Sequence, residues 1–119
     1  LWNDAAVTVE PLVTEIPSPD GYELGERIDW LRAAMAGTWA ALGSPYTDFR
    51  DDVVRYVAQS AVDTVIFSHF IAINAVIGSC LGDDRLVIDS LDNASVTVFE
   101  THGGLRLIER GNQADTLIR

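Results

Sequence analysis

Few residues of this chain carry chemistry, and they cluster in two places: Glu15 in one loop, and Ser68 with His69 in another segment. The run Val65-Ile66-Phe67-Ser68-His69-Phe70 passes from apolar residues onto a histidine and then directly into an apolar helical segment, so it reads as a strand feeding a helix. In an open α/β sheet ligands bind at the carboxyl ends of strands, where an emerging helix offers free backbone N–H groups and the positive end of its dipole to anions. An imidazole at that junction donates hydrogen bonds to a phosphate and, as the cation, neutralises one of its charges. A lone histidine at a strand end is more often a packed or capping residue. Ser68 can orient His69 or satisfy the strand end, and Glu15 alone is equally well a surface carboxylate at a loop mouth.

The elements that must position these residues follow from pattern. Val7 to Leu12 is β-branched and interrupted by Pro11, which predicts a short or edge strand. The next stretch, Glu15-Ile16-Pro17-Ser18-Pro19-Asp20-Gly21, excludes helix interior and central strand alike. From Tyr22 to Leu42, Leu24, Ile28, Leu31, Met35, Trp39 and Leu42 recur at helical spacing, predicting one amphipathic helix ended by Gly43, with Trp30 and Trp39 in the core. A second helix begins near Ser44-Pro45 or Thr47 and carries the stripe Phe49, Val53, Val54, Val57, Ala58, Ala61. Its Asp48, Asp51 and Asp52 suit the dipole at a helix start rather than a metal site. Val65 to Phe67 is expected as a buried strand, and Ile71 to Leu81 as a helix apolar nearly all round, capped by Gly82. Asp92-Asn93 marks a turn, after which Ser95 to Glu100 and Leu105 to Glu109 form a hairpin around Gly103-Gly104. His102 beside that turn is expected to be exposed and inert.

Composition narrows the partners. The 119 residues are 48% hydrophobic, enough for one domain that buries roughly two-thirds of its unfolded surface. A net charge of −10 opposes nucleic acid and anionic membranes, so neither is expected as a partner. There is no run of membrane-spanning length and no basic-then-apolar leader. The lone Cys80 excludes an intrachain disulfide and a cysteine metal site, and a reducing cytoplasm is the simplest compartment. Every basic side chain is arginine, and the chain opens on Leu1 with its only methionine at Met35, which suggests part of a longer protein.

The order of these motifs resembles the histidine phosphatase (phosphoglycerate mutase-like) superfamily. The matching residues are the Leu-x-x-Glu-Ile loop at Leu12 to Ile16, the strand ending in Ser-His at Val65 to His69, and Asp92-Asn93-Ala94-Ser95-Val96-Thr97-Val98. The resemblance implies residues 1–119 as the C-terminal part of one three-layer α/β/α sandwich with a mostly parallel sheet, its N-terminal part missing. In that family a histidine in an Arg-His-Gly motif attacks the phosphoryl group, and the phosphohistidine is then resolved by water or, in mutases, by a second substrate oxygen. That motif is absent from this sequence. Carried over by position, Glu15 matches the acid that protonates the leaving oxygen, and His69 the second histidine, which contacts the phosphoryl oxygens. The family usually has glycine where Phe70 stands; Phe70 and Ser68 are then placed at the substrate pocket. The implied function is a phosphomonoesterase or mutase acting on a small phosphorylated substrate, with no metal and no organic cofactor. The alternative is a non-catalytic α/β module that binds phosphorylated ligands or a partner, and the apolar helix surface leaves room for a homodimer.

Overall fold

A single apolar helix forms the centre of the molecule. The computed structural model describes residues 6–111. Within them the chain runs through a 3-10 turn at Pro11–Val13, then α1 (Leu24–Met35), α2 (Trp39–Leu42), α3 (Tyr46–Ala58), α4 (Phe70–Leu81), and the strands β1 (Val98–Glu100) and β2 (Arg106–Glu109). Past Gly111, the patternless tail lies outside the described residues.

The expected helix from Ile71 to Leu81 is present as α4, and it is apolar all round because it is surrounded. Ile71, Ala72, Ala75, Val76 and Ile77 are all at most 2% exposed. One side packs with Trp39, Ala34, Ile16 and Leu86. The other meets Val53 of α3 and, through Phe99 and Leu105, the hairpin. Gly82 takes the left-handed conformation at φ 67°, as its place after Leu81 predicts. In that termination the Asp83 N–H donates to Gly78 O at 3.0 Å. A Cβ on Gly78 would lie 2.7 Å from Asp83 O, so Gly78→Ala is expected to cost about 1–3 kcal/mol in chemical denaturation. An unchanged midpoint would mean that the 83 carbonyl yields freely.

The three-layer sandwich with a mostly parallel sheet is not what the chain forms. Among the described residues there are four helices and one two-stranded antiparallel sheet, β1 with β2, with an irregularity in the pairing between Val98 and Phe99. The reason lies in the segment expected as the buried strand. Residues 63–69 take no regular secondary structure: Val65 is 59% and Phe67 91% exposed, and no backbone hydrogen bond joins them to another strand among the described residues. Local β propensity makes a segment extended, but only a neighbouring strand makes it part of a sheet. The expected strand from Val7 likewise gives way to the 3-10 turn, where Pro11 starts the turn and the Glu10 carboxylate caps the Leu12 N–H at 3.0 Å.

The helix expected from Tyr22 to Leu42 is two helices. It breaks at Ala36 to Thr38, where Thr38 pairs with Arg85 as an isolated bridge, Leu86 N–H donates to Gly37 O and Trp39 N–H to Asp84 O. Thr38 Oγ1 then caps Ala41. The break swings Trp39 inward to 1% exposure, while Trp30 stacks at a tilt against Tyr46 at 5.2 Å, so both tryptophans belong to the packing expected of them. Asp92-Asn93 does form a turn, closed by Ser95 N–H on Asp92 O, and Gly103 and Gly104 supply the positive φ of the hairpin loop.

Candidate functional site

His69 stands where the sequence placed it in one respect: it is the residue immediately before α4, with extended backbone at φ −122° and ψ 162°. Its carbonyl accepts the Ile73 N–H at 2.9 Å. The imidazole is exposed and does not cap the helix, so the amides of the first turn of α4 have neither an intrahelical acceptor nor a side-chain cap.

Ser68 does not orient His69. Its hydroxyl donates across the fold to Val13 O at 2.6 Å. That bond ties the entrance of α4 to the segment that carries Glu15, two residues beyond Val13. Glu15 is half-buried, and its Oε1 accepts the N–H of Ile16, a core residue, at 3.1 Å. Phe70 turns inward against the core cluster that includes Ile16, Trp39 and Ile71, and its carbonyl accepts from Asn74. The aromatic ring is therefore packing under the junction. His102 is exposed at the hairpin turn.

Sequence reasoning missed two features. The first is Asn74, the one amide on the apolar helix and completely buried. Its Nδ2 donates to Phe70 O and Asp89 O, and its Oδ1 accepts from the N–H groups of Ile88 and Asp89, both at 2.8 Å. All four of its hydrogen-bonding positions are filled, so it fastens the 88–89 loop to α4. Beside it, Asp89 is almost buried, with Arg110 Nε 3.1 Å from Oδ2 as an ion pair outside hydrogen-bond alignment.

The second is an open cleft of about 410 Å³ at the far end of α4, between that helix and α3. Its α4 wall begins at Ala75, six residues past His69 or about 9 Å along the axis, and runs on through Gly78 and Ser79. Trp39, Arg50, Arg55, Ser79, Asp83 and Asp84 are among its walls. Its cations are already engaged. Arg50 reaches Asp51 at 2.8 Å and Asp84 at 3.2 Å, Arg55 holds Asp52, and Asp84 Oδ2 also accepts the Ala40 N–H. Arg85 hydrogen-bonds Asp83 with side chain and backbone and holds its carboxyl down to about 2. A depressed carboxyl contributes stability above its unfolded value and loses it as pH falls toward 2, but the pair faces solvent and its share is slight. The only signal for this cleft was Gly82-Asp83-Asp84 after an apolar helix, which reads equally as a turn. Burial raises the Cys80 thiol above its ordinary value, which lowers its thiolate fraction.

No family model, curated protein or solved structure matches the chain. No helix among the described residues is long and apolar enough to cross a membrane.

Proposed function

We propose that this chain contributes the acid and the phosphate-binding histidine of a phosphoryl-transfer site acting on small phosphate monoesters. Glu15 protonates the leaving oxygen, and His69 with the uncapped first turn of α4 holds the phosphoryl oxygens as their charge redistributes. No Arg-His-Gly stands in the sequence, so the attacking histidine of this reading comes from outside it. No metal or organic cofactor enters this chemistry, and a cytoplasmic setting belongs to the same proposal.

The observation that supports the reading is the hydrogen bond from Ser68 to Val13, between residues 55 apart in the chain. His69 follows one end of that bond and Glu15 lies two residues past the other, which favours a common site for the two. The test needs no turnover. Inorganic phosphate is expected to shift the ring resonances of His69 and the amides of Phe70 and Ile71 in NMR titration, with exposed His102 as the internal control. His69→Ala should weaken phosphate binding by at least about tenfold, the loss of one charge-assisted contact in an open site. Equal shifts at His69 and His102, or undiminished affinity in the variant, would sink the assignment.

A second reading, a non-catalytic interaction module, is favoured by a different observation. Val62, Val65 and Phe67 face solvent along a segment outside any helix or strand. Exposed apolar surface of that kind marks interaction sites.

A further inference from the structure

In a chain with 18 carboxylates and 8 basic groups, every arginine has acidic neighbours to choose from. Among the described residues Arg50, Arg55, Arg85, Arg106 and Arg110 each take one as an ion pair. Arg27 and Arg32 do not, and both are on α1. Their own helix offers partners at pairing distance in sequence, Glu23 four residues before Arg27 and Asp29 three before Arg32. Glu23 is instead engaged with Glu26 in the capping box, and Asp29 does not reach Arg32. Arg27 donates only to the neutral Ser18 hydroxyl, at 3.1 Å. Both residues are exposed.

Between them runs an apolar stripe that packs on the core at its far end, through Leu31 and Met35, and is uncovered over its first turns. Leu24 is 69% and Ile28 46% exposed, and Ala34 is the one residue of α1 fully buried. On a helix of 3.6 residues per turn Leu24 and Ile28 make one stripe, with Arg27 and Arg32 about 60–80° to either side of it. The carboxylates of Glu26 and Asp29 are placed farther round. An exposed apolar stripe edged on both sides by free cations is the complement of an amphipathic helix edged by carboxylates.

We propose that α1 is a docking stripe for an acidic amphipathic helix of another protein, with Leu24 and Ile28 as the apolar seat and Arg27 and Arg32 as the clamps. A second copy of this chain does not fit the same seat. When two such stripes pair, parallel or antiparallel, their flanks oppose each other and arginine would face arginine. An anionic bilayer is a broad surface that meets the field of the whole chain at −10, whereas a single helix meets only the stripe and its two arginines. The inference does not depend on the chemistry at His69, and its variants lie outside that junction.

The test compares two synthetic helical peptides that share leucines at i, i+3, i+4 and i+7 and differ only in flanking glutamate or lysine, titrated against the protein at low ionic strength. The glutamate peptide is expected to bind at least about tenfold more tightly than the lysine peptide, with an affinity that falls as salt rises. Arg27→Glu with Arg32→Glu should reverse that preference, and Leu24→Ser with Ile28→Ser should weaken both peptides. These side chains are exposed, and an unchanged far-ultraviolet spectrum confirms that each variant folds. Equal affinity for the two peptides, no binding of the glutamate peptide, or an unreversed preference in the charge variant would overturn the proposal. Binding of phosphatidylserine vesicles in place of the peptide, or concentration-dependent dimerisation lost on Leu24→Ser, would overturn it as well.

Discussion

Asn74→Ala is expected to lower the unfolding free energy by about 3–5 kcal/mol, a third or more of the stability typical of such a domain. The side chain is completely buried and makes four hydrogen bonds. Alanine would strand the N–H groups of Ile88 and Asp89 and the Asp89 carbonyl, away from water and with nothing to replace the partner. Each such group costs about 1–3 kcal/mol, and groups this close do not add simply. The carbonyl of Phe70 loses less, since it belongs to the first turn of α4 and can still accept from the helix. Asn74→Asp keeps the shape and both acceptors but removes the two donors and sets a charge against two carbonyls, so it should be no milder. Urea denaturation of both variants is the measurement. A shift equivalent to under about 1 kcal/mol at unchanged slope would show that the 88–89 loop is held by something else.

Trp39→Ala should cost a similar amount, about 3–5 kcal/mol, for a different reason. At 1% exposure the indole is the largest fully buried side chain. It fills the space between Ile16, Ala34, Ile71, Ala75 and Leu86, with Phe49 at a ring-centroid distance of 6.2 Å. Truncation opens a cavity where the Ile16 segment, α1, α4 and the Leu86 segment meet. Trp39→Phe keeps most of the volume and should lose about 1–2 kcal/mol. The ratio of the two losses is diagnostic. Equal losses would mean that the ring's shape matters more than its volume, and small losses in both would mean that α2 folds back over the gap.

The helices were legible where the apolar period and a stop signal coincide. Leu81-Gly82 gave the end of α4, and Phe49 to Ala58 gave α3, because those signals act within a few residues. The break before α2 was hidden because Met35, Trp39 and Leu42 keep the helical period across it. Only Gly37 hinted at the interruption, and its cause, pairing with Arg85 and Leu86, lies far along the chain. Val65 to Phe67 misled for a related reason. β-branched and aromatic residues specify an extended backbone, whereas membership of a sheet depends on a neighbour that no local pattern encodes. Of the candidate site, the position of His69 at the start of α4 was readable from the change of pattern at Ser68. The hydroxyl bond that links it to Val13 was not, since nothing in either segment names the other. Asn74 went unread, although a single amide in an apolar helix implies a buried partner.

The segment from Thr64 to Phe67 has a consequence for how the molecule behaves in concentrated solution. It is rich in β-forming residues, uncharged and free of proline, and Val65 and Phe67 face water with no strand alongside, which is the kind of segment that stacks between copies. Asp63 is its only adjacent charge, so what keeps copies apart is the repulsion of ten net negative charges. Colloidal stability is thereby set by titration: as pH falls toward the isoelectric point near 4.3, the repulsion vanishes while the sticky run stays on display.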